Sequence, residues 1–224
     1  LEAETLYQKI LEIQPKLSQV QNNLGIIFES SNKLNEAEIC YRKAIEFQPD
    51  YTDAHFNLGN ILKSLDNFEE AEKSYKKAAE LKPDYIAQVY NNLGIIQKQL
   101  GLLDLAEINY KKAIEHDTHY ATAYFNIANL MRDSNKLDES IEFYKKTIEL
   151  KQDYILAYFN LGFVYKKIGK FNDAEINYKK VIEFNPNNAE AHNNLGNLMQ
   201  DLDRLNESSE YYKKALSLDS TNKM

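Results

Sequence analysis

Apolar positions in this chain fall into two alternating helical stripes, and the pair returns about every 34 residues. In residues 52–85 the first stripe holds Ala54, His55, Leu58, Gly59, Ile61, Leu62 and Leu65, which share one broad face at about 100° per residue. Asp53, Phe56, Asn57, Asn60, Lys63 and Ser64 take the opposite side. This predicts a helix over 53–65, broken by Asp66 and Asn67. A second helix is predicted over 69–81 with Ala71, Tyr75, Ala78, Ala79 and Leu81 inward. Pro83 stops it, because proline lacks an amide hydrogen and clashes with the preceding turn. Neither helix buries its stripe alone, so the expected object is a helical hairpin stacked on copies of itself.

The copies follow at 18–51, 52–85, 87–120, 121–154, 155–188 and 189–222, after a half-repeat over 1–17. Leu-Gly recurs at Leu24-Gly25, Leu58-Gly59, Leu93-Gly94, Leu161-Gly162 and Leu195-Gly196, with Ile127-Ala128 as the variant. A small residue recurs in the second helix at Ala37, Ala71, Ala106, Ser140, Ala174 and Ser208. A tyrosine follows at Tyr41, Tyr75, Tyr110, Tyr144, Tyr178 and Tyr212. Proline closes the unit at Pro15, Pro49, Pro83 and Pro186. Asn32, Asp66, Gly101, Asn135, Gly169 and Asp203 occupy a turn position that calls for positive φ, and they are the residue types that tolerate it.

Spacing and residue type together resemble the tetratricopeptide repeat (TPR) family over nearly the whole chain. The resemblance implies an all-α, right-handed α-solenoid of stacked antiparallel helix pairs, read here as one solenoid over 1–224. There are two departures. The aromatic expected early in the first helix is Gln21, His55, Tyr90, Tyr124, Tyr158 and His192, and one extra residue lies between Tyr85 and Leu93, which should alter the local stacking near Ile86.

Composition narrows the function. Lys and Arg number 27 against 34 Asp and Glu, a net charge of −7. Nucleic acid is not an expected partner, since its binding rests on phosphate neutralisation. No run of about 18 apolar residues exists to span a membrane. Cys40 is the single cysteine, so no intrachain disulfide can form, and the expectation for it is a small buried apolar residue. The chain starts in mid-repeat without Met, as a fragment would, and its expected location is cytoplasmic. Its uncapped ends admit self-association or a continuing parent protein.

No Gly-rich phosphate loop, Ser/His/Asp arrangement or Cys/His cluster supports catalysis, and no cofactor or metal is expected; His116-Asp117-Thr118-His119 reads as a solvated turn. The Lys and Arg pairs after each repeated tyrosine, from Arg42-Lys43 to Lys213-Lys214, read as an outer face paired with glutamates such as Glu80, Glu149 and Glu183.

The candidate binding residues lie on the polar side of the first helices, which in the TPR family line the concave groove. The residue before each Leu-Gly or Ile-Ala is Asn23, Asn57, Asn92, Asn126, Asn160 and Asn194. Asparagine costs a helix interior roughly 0.5 kcal/mol relative to alanine. A carboxamide offers two donors and an acceptor, so a row of them can pair with an extended peptide backbone whatever its side chains. The competing reading is that these side chains bond the neighbouring helix and set the stacking; the two are compatible. The column is similar to that in the repeat domain of the O-linked N-acetylglucosamine transferases, where it contacts substrate backbone, which also suggests a recruiting arm of a larger enzyme.

Secondary groove candidates are Asn60, Asn129 and Asn197, which alternate with Ile26, Ile95 and Phe163, and the cations Lys63, Lys98, Arg132 and Lys166 near the ends of first helices. Phe125, Phe159 and Phe163 are candidates for an apolar pocket. A clamp for chaperone C-terminal carboxylates is not expected, because the matching positions hold Asn22, Ile26, Asn57, Gln88 and Asn92.

Overall fold

The computed structural model describes residues 2–221, and these form thirteen α-helices and no strand. The helices group into two compact units. The unit up to Thr118 holds α1 (Glu2–Ile13), α2 (Ser18–Ser30), α3 (Leu34–Phe47), α4 (Thr52–Ser64), α5 (Phe68–Glu80), α6 (Ile86–Gln99) and α7 (Leu103–His116). The unit from His119 holds α8 (Ala121–Asp133), α9 (Leu137–Leu150), α10 (Ile155–Lys167), α11 (Phe171–Phe184), α12 (Ala189–Asp201) and α13 (Leu205–Thr221). The helix boundaries expected for residues 52–85 agree with α4 and α5 to within one residue. The expected end of the last repeat, Asn222, lies outside the described residues.

Each repeat is a hairpin held by one tyrosine. The ring of Tyr75 lies so close to the α4 backbone that a Cβ placed on Gly59 would stand 2.7 Å from it. The same contact joins Gly25 to Tyr41, Gly94 to Tyr110, Gly162 to Tyr178 and Gly196 to Tyr212. The recurring glycine is therefore a close-approach residue, exchanging helix propensity for ring contact. In the fourth repeat Ala128 takes its place, and both Ala128 and Tyr144 remain completely buried.

Within each unit, second helices pack on the next first helix, as α3 does on α4 and α9 on α10, and first helices also touch each other, α2 with α4 and α8 with α10. Two apolar cores result. One centres on Tyr41, Leu58, Ile61, Leu62, Tyr75 and Ile96, the other on Tyr144, Leu161, Val164, Tyr178, Leu195 and Leu198. Cys40 is buried as expected, and burial pushes its thiol pKa up.

All six turn positions take the left-handed conformation, with φ between 56° at Asp66 and 76° at Gly169. A further left-handed residue, Lys82, precedes the extra residue near Ile86. α5 stops at Glu80, Lys82 adopts φ 51°, and its amide donates to the Ala79 carbonyl at 3.1 Å. α6 then runs 14 residues, where α4 and α8 run 13.

The departures at the early aromatic position have a local explanation. His55 and His192 are buried, and each Nε2–H donates to the carbonyl of the closing proline six residues earlier, Pro49 at 2.8 Å and Pro186 at 3.0 Å. These bonds tie a helix start to the preceding loop.

Candidate peptide-contact site

Each asparagine of the column immediately precedes a buried Leu or Ile, so it sits at the margin of the buried stripe, and all six are half-buried. Their bonds are more specific than a uniform row implies. Asn57 Nδ2 donates to Asn22 Oδ1 at 3.1 Å, Asn92 Nδ2 to Asn60 Oδ1 at 3.2 Å, and Asn160 Nδ2 to Asn129 Oδ1 at 2.9 Å. Each links one first helix to the first helix before it. Asn23 Nδ2 meets Tyr7 Oη at 3.5 Å, and Asn126 is also engaged. Asn194 makes no hydrogen bond among the described residues.

The acceptors serve two donors at once. Asn60 Oδ1 also accepts from Tyr75 Oη at 2.6 Å, and Asn129 Oδ1 from Tyr144 Oη at 2.6 Å. Tyr212 donates to Asn197 at 2.8 Å and to Gln200 at 3.0 Å, while Tyr41 donates to Glu29 at 2.9 Å. Burial raises the pKa of Tyr41, Tyr75, Tyr110, Tyr144 and Tyr178 above the ordinary phenol value, and at Tyr41 the bond to Glu29 adds to it. These hydroxyls remain protonated donors at neutral pH.

The secondary candidates separate. Lys63, Lys98, Arg132 and Lys166 lie in the last turns of α4, α6, α8 and α10, where a cation complements the helix dipole. Arg132 binds Asp133 Oδ1 through Nε and Nη2 at 3.0 and 2.8 Å, and Lys166 pairs with Asp201 at 2.9 Å. Lys63 is half-buried, and burial lowers its pKa against the opposing charge of Glu29. Phe125 lies against Tyr144 and Tyr154, and Phe159 edge-on to Tyr178, with ring centroids 4.8–6.0 Å apart. Both line the core, whereas Phe163 stands 47% exposed.

The paired cations of the second helices form ion pairs along their own helices. Lys76, Lys111 and Lys179 meet the glutamate four residues earlier, and Lys77, Lys146 and Lys180 the one three residues later. Among the described residues no three His, Cys, Asp or Glu side chains are placed to hold a metal ion, and His116 stacks on Tyr90 at 5.4 Å. None of the described helices is long and apolar enough to cross a membrane.

With this geometry in place, comparison with known proteins decides the family. The tetratricopeptide repeat matches residues 52–85, 155–188, 177–208 and 87–118, and the TPR repeat matches 27–66 and 128–169. This chain belongs to the tetratricopeptide repeat family. Among solved structures, the TPR chain resembles YrrB, described as a TPR protein with an unusual peptide-binding site, at 22% identity over 83% of this chain and 95% of that one, with a TM-score of 0.66. It resembles MamA at 26% identity over 74% and 96% of the two chains, TM-score 0.68. PilF of Pseudomonas aeruginosa superposes with a TM-score of 0.76 at 19% identity, covering 87% and 88%. No curated protein sequence matches.

Proposed function

We propose that this TPR chain is a protein-interaction module that holds an extended peptide along the first-helix side of its repeats through the asparagine column. The observation that carries this reading is the partial exposure of all six asparagines at one structural position. A carboxamide has two N–H donors and an acceptor, so a single bond to a neighbouring helix does not exhaust it. The peptide-binding site named for YrrB, which shares the fold, adds support. Packing and binding are then two uses of one side chain.

The test uses linear 12-residue peptides selected on the intact chain from a degenerate phage-displayed library. Replacing Asn126, Asn160 and Asn194 together by Ala should lower the affinity of a selected peptide about tenfold or more, at about 0.5–1.5 kcal/mol per bond. Helicity should persist. Unchanged affinity by calorimetry overturns the reading.

A second reading, association through the terminal helices, is favoured by the exposure of Leu6 and Ile13 on α1 and of Leu205 and Leu216 on α13. Light scattering across a concentration series tests it, and a monomer at every concentration sinks it.

A further inference from the structure

We infer that the junction of the fifth and sixth repeats is the principal peptide-binding subsite, where Tyr178 and Asn194 together donate to one backbone carbonyl and Phe163 receives the neighbouring apolar side chain. This rests on the peptide-binding reading above and assigns it to a place.

The argument starts from what the protein does twice elsewhere. In the second repeat, Tyr75 Oη and Asn92 Nδ2 converge on Asn60 Oδ1 at 2.6 and 3.2 Å. In the fourth, Tyr144 Oη and Asn160 Nδ2 converge on Asn129 Oδ1 at 2.6 and 2.9 Å. In both cases a tyrosine hydroxyl and the next repeat's asparagine enclose a single amide oxygen. The residues at the same repeat positions one step on are Tyr178 and Asn194, but Phe163 stands where Asn129 stood. A phenyl ring accepts no such bond. Neither Tyr178 nor Asn194 has a hydrogen-bond partner among the described residues.

Tyr178 is held where its counterparts are. Its ring lies on Gly162 as that of Tyr75 lies on Gly59, and it is 1% exposed. The one fully enclosed polar side-chain atom without a partner among the described residues is His192 Nδ1, so the little surface that Tyr178 keeps includes its hydroxyl. Asn194, at the repeat position of Asn160, is partly exposed. The chemistry that completes such a pair is already on view, since Asn60 and Asn129 present an amide C=O, the same group that every peptide bond carries. A peptide carbonyl entering between Tyr178 and Asn194 reproduces the closed arrangement of the fourth repeat. Phe163, on α10 and 47% exposed, then meets the ligand beside that carbonyl. The corresponding asparagines Asn57, Asn92 and Asn160 already spend an N–H inside the protein and contribute less.

The experiment measures fluorescence anisotropy of a library-selected 12-residue peptide against the intact chain and its variants. Tyr178→Phe and Asn194→Ala should each weaken binding about five- to tenfold, and Phe163→Ala similarly. Tyr75→Phe should change it less than about twofold, and Asn57→Ala, whose N–H is already spent on Asn22, should weaken it clearly less than Asn194→Ala does. Phe163→Asn, which supplies the missing acceptor from within the chain, should weaken binding most while leaving the protein folded, so the test does not depend on a truncating variant. Equal losses at Asn57 and Asn194 overturn the assignment to this junction and leave the general peptide reading standing. Loss in the Asn126, Asn160 and Asn194 triple variant, without loss in Asn194→Ala alone, does the same. A library that yields no binder overturns both.

Discussion

The fourth and fifth repeats are neighbours in one unit, share every helix boundary to within a residue of register, and treat their polar groups in opposite ways. In the fourth, Ser140 and Thr147 are completely buried and donate to the Leu137 and Phe143 carbonyls of their own helix at 2.7 and 2.9 Å. Tyr144 and Asn160 close on Asn129. In the fifth, Ala174 and Val181 fill the positions of Ser140 and Thr147, and Phe163 replaces the asparagine acceptor. Both hairpins stand because ring burial, worth more than a hydroxyl bond, is the same in each. The difference teaches that stability of the repeat is settled by the tyrosine ring, while its hydroxyl is free to serve either the fold or a ligand.

Alkali should give the largest effect and act on both repeats alike. Burial raises the folded pKa of Tyr144 and Tyr178 above that of the unfolded chain. A raised folded pKa means the protonated phenol is the form the fold favours. Its contribution is complete below about pH 10, the unfolded phenol value, and is lost as pH climbs above it. Cooperative loss of helical circular dichroism above that pH, together with tyrosinate absorbance, is expected. Free ionisation at ordinary phenol pH with helicity intact would break the claim of shared ring burial.

The hydroxyls should then tell the repeats apart. Tyr144→Phe should cost about 1 kcal/mol in urea denaturation, because it strips a donor from Asn129, while Tyr178→Phe should stay within about 0.5 kcal/mol. Equal costs would show that Tyr178 has a partner inside the fold. A shift of opposite sign sharpens the contrast further. Phe163→Asn should stabilise the chain by roughly 0.5–1 kcal/mol, since it supplies Tyr178 and Asn194 with an acceptor and gives up only a half-exposed ring.

Much of this was legible before any coordinates. Tyr75 and Gly59 recur at fixed spacing, and the six left-handed turns are filled by Asn, Asp or Gly, so the hairpin and its chain reversal are written in local residue choice. The fate of the asparagines was not, because it depends on a second residue in another repeat. Asn160 and Asn194 look identical along the chain, yet one bonds Asn129, and for the other the position equivalent to Asn129 holds Phe163. The available signal was the alternation of Ile26, Asn60, Ile95, Asn129, Phe163 and Asn197, read at first as a secondary feature. The inward register of Tyr75 and its repeats is right for the rings and silent about the oxygens. The left-handed turn at Lys82 is not written in the sequence, because lysine is not a residue type that signals positive φ.

The ring-on-glycine contact joins residues sixteen positions apart in every repeat that has it, as between Gly162 and Tyr178. A contact made at such short range along the chain needs little loop closure, so each hairpin can nucleate without waiting for its neighbours. The array should therefore assemble quickly and from several starting points. A lesion confined to one hairpin would slow that hairpin first and leave the others able to find their shape.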